Sequence, residues 1–177
     1  DLIGSNVNLS GLEVEIANNP NKAFLLKEVF EKNQSLFSKY ENIFIDCPPS
    51  LSLLTVMSLV VADELLVPLQ TEFFALEGIS QLVKTIERIK INLNPNLHIR
   101  GILLTMFDKR NKLSNQIDNE ARKYFKDKVY KTVIPRNVRL SEAPSHGLPC
   151  ILYDRSCAGS KSYINLAKEF VEQERRT

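Results

Sequence analysis

The sequence is poor in cysteine and contains no long apolar run, and both absences narrow the class of protein. Only three cysteines occur in 177 residues, and no two of them are spaced as C-x-x-C. The odd count argues against a disulfide framework, and the spacing argues against a cysteine-rich metal site. No apolar run approaches the roughly 18–20 residues that a membrane-spanning helix needs. These features predict a protein of the reducing cytosol, with no membrane segment and no signal peptide.

Glycine, proline and histidine are also scarce. Six glycines and eight prolines without a period exclude a collagen-like or low-complexity chain. His98 and His146 have no histidine or cysteine partner at ligand spacing, which argues against a metal site built on them. The hydrophobic share of 44% and charged share of 25% are typical of a globular protein. We find no repeat or linker, so the sequence predicts a single domain over residues 1–177.

The net charge of +2 hides a strongly basic segment between residues 109 and 139. This basic segment carries a net charge of +7, so the rest of the chain carries −5. A basic surface on a nearly neutral protein is typical of contact with nucleic acid phosphates, although a solvated helix face followed by a loop is the alternative interpretation. Three acids are present in the segment (Asp118, Glu120 and Asp127) beside ten basic residues: Lys109, Arg110, Lys112, Arg122, Lys123, Lys126, Lys128, Lys131, Arg136 and Arg139.

Short apolar runs alternate with longer helical patterns along the chain. The runs predict strands at residues 43–45, 65–69, 99–106 and 129–134, and the main helices are expected at 51–62, 76–92, 113–125 and 160–174. Strands that are apolar on both faces and separated by helices indicate parallel pairing with crossover helices. The predicted fold class is therefore α/β, with a doubly wound sheet that binds ligands beyond the carboxyl ends of its strands.

Two segments at such strand ends carry candidate functional groups. Asp46 directly follows the strand at residues 43–45, where a carboxylate can orient a magnesium-bound water, and Pro48 and Pro49 stiffen the exit from that strand. The alternative is that Asp46 only caps a turn. Residues 134–147 form a long polar loop with two arginines three positions apart, a composition typical of a binding loop.

Four segments resemble the ParA/Soj-type partition ATPases of the deviant P-loop group. They are FIDCPPS at residues 44–50, EFFALEG at 72–78, LLTMFD at 103–108 and the whole of 134–147, and they occur in the family's order. The resemblance extends along the entire chain. It implies a P-loop NTPase-like, mostly parallel sheet with helices on both faces, in a single ParA-like AAA-type ATPase domain that is incomplete at its N-terminus.

The resemblance also implies a function in chromosome or plasmid partitioning. Family members bind ATP and magnesium, form homodimers around two nucleotides, and bind nucleoid DNA without sequence preference in the bacterial cytoplasm. A ParB/Spo0J-like centromere-binding partner stimulates their ATP hydrolysis. Residue by residue, Asp46 matches the Walker B aspartate that holds magnesium through water, and Pro48 and Pro49 match the switch II region. Met106, Pro135, Arg136 and Asn137 match residues that line the family's adenine pocket. Arg110 and Arg139 match the arginines that contact DNA in the family.

One element of the family is missing from the sequence. The phosphate-loop pattern K-G-G-x-G-K-[ST] is absent, as is the D-x-D-P-Q-G motif, and none of the six glycines has the required neighbours. The phosphate loop supplies the backbone N–H groups and lysines that hold the phosphates, so the chain alone is predicted not to turn over ATP. The family places the phosphate-loop strand beside the strand at 43–45, so we expect exposed apolar surface there.

The sequence leaves two main hypotheses open. The first is an ATP-driven partition switch of which this chain is a part, and the second is a non-enzymatic remnant or a DNA- or partner-binding module. A membrane-cycling division ATPase is disfavoured because residues 168–176 contain three glutamates rather than one basic amphipathic face. An iron–sulfur carrier is disfavoured because Cys47 lies on the expected switch loop.

Overall fold

A computed structural model describes residues 1–48 and 50–175, which divide into two compact units. The first unit comprises Asp1–Asp63 and Thr85–His98, and the second comprises Glu64–Lys84 and Ile99–Thr177. One domain over residues 1–177 stays a prediction. No helix among the described residues is long and apolar enough to cross a membrane. The elements are α1 (Asn8–Glu15), α2 (Leu25–Lys32), α3 (Gln34–Phe37), α4 (Leu53–Val61), β1 (Glu64–Gln70), α5 (Ala75–Asn92), β2 (His98–Thr105), α6 (Lys112–Phe125), α7 (Val138–Glu142), α8 (Cys150–Tyr153) and α9 (Ala158–Glu174).

The two strands β1 and β2 pair in parallel. At one end His98 N donates to Asp63 O at 3.4 Å, and at the other Thr71 N donates to Thr105 O at 3.1 Å. Residue numbers increase together along both strands, so they run in the same direction, and α5 is the crossover between them. The strands predicted at 65–69 and 99–106 are confirmed.

The segment at residues 129–135 occupies the opposite edge of β2. Tyr130 N donates to Ile102 O and Ile134 N donates to Leu104 O, both at 2.9 Å, and parallel bridges join Ile102 to Val129 and Phe107 to Pro135. The strand predicted at 129–134 is therefore present as an interrupted ladder. The ladder is interrupted because the N–H groups of residues 131 and 132 donate to a side chain of α9 instead.

Helices cover both faces of this sheet within the second unit. On one face, Val67, Leu69, Ile102 and Leu104 pack with residues of α5 and α6. On the other face, Leu103 packs with residues of the 129–135 segment and of α9. Successive residues of β2 thus enter different cores, as the alternation of side chains along a strand requires. The α/β class with helices on both faces of a parallel sheet is confirmed.

The first unit is mostly helical. Helix α4 packs against α2 and the 3₁₀ turn Lys22–Phe24, and its side chains Met57, Leu59 and Val60 are buried. The Asn94 side-chain amide donates to Leu59 O at 2.9 Å and to Ala62 O at 2.8 Å, satisfying carbonyls that the end of α4 leaves without helical partners.

The strand predicted at residues 43–45 is wrong. The described residues around it contain no paired strand, and Ile43, Phe44 and Ile45 are exposed, Phe44 by 70%. An extended segment becomes a stable strand only when a neighbour accepts and donates its backbone hydrogen bonds, and residues 43–45 belong to no strand that the structure describes. The expected exposed apolar surface is found at this segment.

Candidate functional site

The residues matched to the adenine pocket come together at the carboxyl end of β2. Met106 directly follows β2, and the next residue, Phe107, is bridged to Pro135. Arg136 N donates to Phe107 O at 3.0 Å, which keeps residues 135–137 beside the end of the strand. Met106 has φ = 54°, a left-handed conformation that is uncommon for a residue other than glycine and is enriched at binding sites.

Two polar contacts position the residues that match the adenine pocket. The Asn137 side chain accepts a hydrogen bond from Arg139 N at 3.0 Å and so caps the N-terminus of α7. The Arg136 guanidinium donates to the Glu72 carboxylate at 3.1 Å, which connects this group to the loop that follows β1. The Arg136–Glu72 ion pair is exposed, so we expect it to yield readily to a ligand.

Beneath this end of the sheet lies a buried hydroxyl pair that the sequence analysis missed. Thr71 Oγ1 and Ser114 Oγ are 3.2 Å apart, and the Ser114 hydroxyl lies 3.3 Å from Thr71 O. Both side chains are 2% exposed. The pair connects the end of β1 to α6. Because the two residues are 43 positions apart in the sequence, no local sequence pattern could have revealed their contact.

Glu169 on α9 was also missed, although it orients the 129–135 segment. Its carboxylate accepts hydrogen bonds from Lys131 N at 2.7 Å and from Thr132 N at 2.9 Å. Partial burial raises the pKa of Glu169, but these N–H donors outweigh it, so the pKa lies below its ordinary value of 4.5.

We expect Glu169→Gln to lower the free energy of unfolding by about 1 kcal/mol at pH 7, because a neutral amide accepts these N–H groups less strongly than a carboxylate. The lowered pKa means that the Glu169 contribution is complete above its unfolded pKa and is lost as the pH falls through the folded value. The gap between wild type and variant should therefore narrow as the pH falls below 4.5, as measured by urea unfolding at a series of pH values. Glu172→Gln, an exposed position on the same helix, is the control. A gap that stays the same across the pH series would contradict the assignment.

Asp46 lies in the first unit on the exposed segment at 43–48, and it makes no hydrogen bond among the described residues. Pro48 is exposed beside it, whereas Pro49 lies outside the described residues. The described part of the chain contains no group of three or more histidine, cysteine or acidic side chains that could hold a metal ion. One exposed carboxylate without a phosphate-loop motif does not by itself fit a magnesium–triphosphate group.

Arg110, matched to a DNA-contacting arginine, lies at the surface of the second unit with a side chain that is 90% exposed. Its Nε and Nη2 atoms donate to the two Asp108 carboxylate oxygens at 3.1 and 2.9 Å, and its backbone N donates at 3.0 Å. These hydrogen bonds lower the pKa of Asp108 to about 2. Asp108 therefore stays ionised and directs the guanidinium at the protein surface.

Arg139, the second matched arginine, lies on α7 and is half exposed. Its Nη1 atom donates to Glu142 at 2.8 Å, and its Nε atom is 3.6 Å from an Asp154 carboxylate oxygen. Exposed ion pairs of this kind contribute about 0–1 kcal/mol, so a phosphate could replace either carboxylate at little cost.

Among the remaining basic side chains, Arg122 has a structural role and the lysines are exposed. Arg122 is held by Asp118 at 2.6 Å and by Tyr130 O at 3.1 Å, so it stabilises α6 and its surroundings. Within residues 1–48 and 50–175, six exposed lysines of the basic segment have no ion pair: Lys109, Lys112, Lys123, Lys126, Lys128 and Lys131. These lysines are the part of the segment best suited to contact phosphates.

The parallel sheet, its helices on both faces and the polar group at its carboxyl edge define an α/β protein of the P-loop NTPase class. Residues 1–99 match the AAA domain family. The chain is 50% identical over 175 residues to the chromosome partitioning protein ParA of Caulobacter vibrioides, covering 99% of this chain and 65% of that protein. It is 45% identical over 172 residues to the chromosome-partitioning ATPase Soj of Treponema pallidum, covering 97% and 67%. The chain belongs to the ParA/Soj family of partitioning proteins.

A solved structure supports the same class. Cobyrinic acid a,c-diamide synthase from Mycobacterium smegmatis, with a bound ATP analog and magnesium, matches with a TM-score of 0.76 and 28% identity. The match covers 93% of this chain and 59% of that enzyme. The chain thus spans about 65% of the length of the Caulobacter relative and less of the solved enzyme.

Proposed function

We propose that this chain provides the base-binding and DNA-contacting parts of a ParA/Soj-type partition switch. The observation that carries the proposal is the 50% identity to a chromosome partitioning protein over 99% of the chain. The exposed arginines and lysines of the basic segment support it from charge alone. In the complete protein, the switch binds ATP and magnesium, and its cycle of DNA binding and release moves chromosomal or plasmid DNA in the cytoplasm.

The proposed residue roles follow from the matches to the ParA/Soj family. Met106 and residues 135–137 would contact the nucleotide base. When a phosphate loop is supplied, Asp46 would hold magnesium through water, with Pro48 and Pro49 in the switch region. Bound ATP and magnesium would supply the phosphoryl chemistry and the energy for the conformational switch. Arg110 and Arg139 contact DNA phosphates, which carry no base information, so the DNA binding is independent of sequence.

The proposed partners are nucleoid DNA, a second copy of the protein and a ParB/Spo0J-like centromere-binding protein. A single basic surface binds DNA weakly at physiological salt because each phosphate contact depends on counterion release. A dimer places two such surfaces on one DNA molecule and so raises the apparent affinity without any new contact. Dimer formation therefore provides a physical means for nucleotide to control DNA binding.

The DNA assignment can be tested in a chimaera in which the N-terminal segment of the Caulobacter relative precedes Asp1. We expect Arg139→Glu or Arg110→Glu to weaken binding to double-stranded DNA about tenfold, the effect of losing one charged contact of about 1.5 kcal/mol. The loss should be equal for unrelated DNA sequences, and the slope of log affinity against log salt should become shallower by about one unit. Fluorescence anisotropy at several salt concentrations measures both quantities.

The matched control for this experiment is Arg88→Glu, the same charge reversal at an exposed position of α5 outside the basic segment. It should change affinity far less and leave the salt slope almost unaltered. Loss at one DNA sequence alone, or an equal loss in the Arg88 variant, would contradict the phosphate-contact assignment.

A second candidate is a non-enzymatic DNA- or partner-binding module. It is favoured by one observation, the absence of a phosphate-loop motif from the sequence. The two candidates differ in their response to nucleotide. A module without a switch binds DNA equally with and without ATP, even in the chimaera, whereas the partition switch requires ATP for tight binding.

A further inference from the structure

Two of the three cysteines lie next to each other in the second unit. Cys150 begins α8 and Cys157 is the N-cap residue of α9, and their Sγ atoms are 3.6 Å apart. Both thiols are free and half-buried, so a small oxidant can reach them. Cys47 is exposed and belongs to the first unit.

The surroundings of this pair favour a thiolate on Cys157. The Ser160 backbone N donates to Cys157 Sγ at 3.3 Å, and the sulfur lies at the N-terminus of the 17-residue helix α9, whose dipole stabilises negative charge. The Ser160 hydroxyl lies 3.3 Å from Cys150 Sγ and 3.4 Å from Cys157 Sγ, and it donates to Asp154 O at 2.6 Å. Asp154 also accepts a hydrogen bond from Cys157 N at 3.1 Å, which holds the N-cap residue in place.

The two thiols differ in acidity. Burial raises the pKa of Cys157, but the hydrogen bonds from Ser160 and Cys150 outweigh it, so the pKa lies below its ordinary value. A hydrogen bond from Ser160 lowers the pKa of Cys150, but burial and the neighbouring Cys157 and Asp154 outweigh that effect and raise it. This difference is the arrangement expected of one attacking thiolate with one resolving thiol beside it.

We propose that Cys157 and Cys150 form a redox-active dithiol that hydrogen peroxide closes into an intramolecular disulfide. In the first step the Cys157 thiolate attacks one peroxide oxygen and the O–O bond breaks, leaving a sulfenic acid on Cys157 and hydroxide that is protonated to water. In the second step Cys150 sulfur attacks the sulfenic sulfur and the S–O bond breaks. The leaving hydroxide takes the Cys150 proton and departs as water. Overall, two thiols lose two electrons and one peroxide becomes two waters.

The geometry requires only a small movement. The sulfur atoms must approach from 3.6 Å to about 2.05 Å, which side-chain rotation and a short loop can supply. The loop between the two cysteines carries Asp154, whose carboxylate is 3.6 Å from Arg139 Nε. Oxidation therefore acts on a segment that contacts a residue of the proposed DNA surface, but the disulfide chemistry does not depend on DNA binding.

The proposal is tested on the purified 177-residue chain carrying Cys47→Ser, which removes the exposed third thiol. After treatment with hydrogen peroxide at pH 7 and blocking with iodoacetamide, mass spectrometry should find one peptide pair joined through Cys150 and Cys157. The chain should be monomeric and lighter by two hydrogen atoms, and dithiothreitol should restore both thiols to alkylation. A disulfide that joins two chains, or a sulfinic acid on Cys157 beside an alkylated Cys150, would overturn the proposal.

Single substitutions in the same background test which thiol attacks. Cys150→Ser should trap the sulfenic acid on Cys157, detected as a dimedone adduct, whereas Cys157→Ser should form a Cys150 adduct at least about tenfold more slowly. Equal rates, or faster labelling of Cys150, would overturn the assignment of Cys157 as the attacking group. Circular dichroism of each variant checks that the fold is retained. Because disulfide formation is measured with both cysteines present, it tests the proposal even if either serine variant misfolds.

Discussion

The purified 177-residue chain is expected to release no phosphate from ATP above background. ATP hydrolysis in this fold depends on a backbone cradle and a lysine that neutralise the phosphates, and the sequence contains no phosphate-loop motif. Asp46, the candidate magnesium residue, is exposed and makes no hydrogen bond in the part of the chain that the structure describes. Phosphate release at saturating ATP and magnesium, followed over hours, is the measurement.

The chimaera that places the N-terminal segment of the Caulobacter relative before Asp1 is the positive arm of this experiment. We expect it to hydrolyse ATP and to lose that activity when Asp46→Ala is introduced, with folding checked by circular dichroism. Asp63→Ala, a change of another aspartate in the first unit, is the control for loss of a carboxylate. Robust hydrolysis by the 177-residue chain itself, abolished by Asp46→Ala, would show that other residues hold the triphosphate and would refute our interpretation.

Gly101→Ala is expected to lower the free energy of unfolding by about 2–3 kcal/mol, because it overpacks a buried strand. A Cβ atom at this position would lie 3.0 Å from Tyr130 Cδ2, closer still to Cε2, and 3.2 Å from Lys128 O. Tyr130 is 1% exposed, so its ring has little room to move, and its backbone N donates to Ile102 O. The clash therefore acts on the ladder between β2 and the 129–135 segment. Urea unfolding followed by circular dichroism measures the loss.

The matched control is Gly78→Ala in α5, where a Cβ atom would meet nothing within 4 Å. There the same substitution should stabilise the protein by up to about 1 kcal/mol, since alanine is the better helix former. If the two variants were equally stable, the close approach of Gly101 to Tyr130 would not limit the packing of the sheet.

The hydrophobic pattern of the sequence predicted β1, β2 and the long helices within a few residues. The pattern predicted these elements correctly because β2 and its neighbours are buried on both faces, so that apolar residues occur where the chain is buried. It failed at residues 43–45, whose pattern is equally apolar. Whether such a segment becomes a strand depends on a hydrogen-bonding neighbour, and polarity along the chain contains no information on that neighbour.

The candidate site likewise combines residues that the sequence predicted with contacts that it could not predict. The resemblance supplied Met106 and residues 135–137 as a group, but not the contacts that position them. Glu169 reaches Thr132 N across 37 residues, and Thr71 meets Ser114 across 43. Cys150 and Cys157 are close in sequence, yet their spacing matches no redox motif. They meet because the chain after α8 turns back and brings the start of α9 beside the start of α8.

Fold class, helix positions, the basic segment and family membership could all be read from the order of the amino acids. Each is recorded in local periodicity, local charge or short motifs, which require only neighbours along the chain. Only the tertiary structure shows which N–H groups donate to Glu169, which carboxylates pair with Arg110 and Arg139, and which two thiols are in contact. These pairings arise when packing of the sheet and helices brings distant segments within hydrogen-bonding range, and the burial of many side chains together, not any one motif, sets that packing.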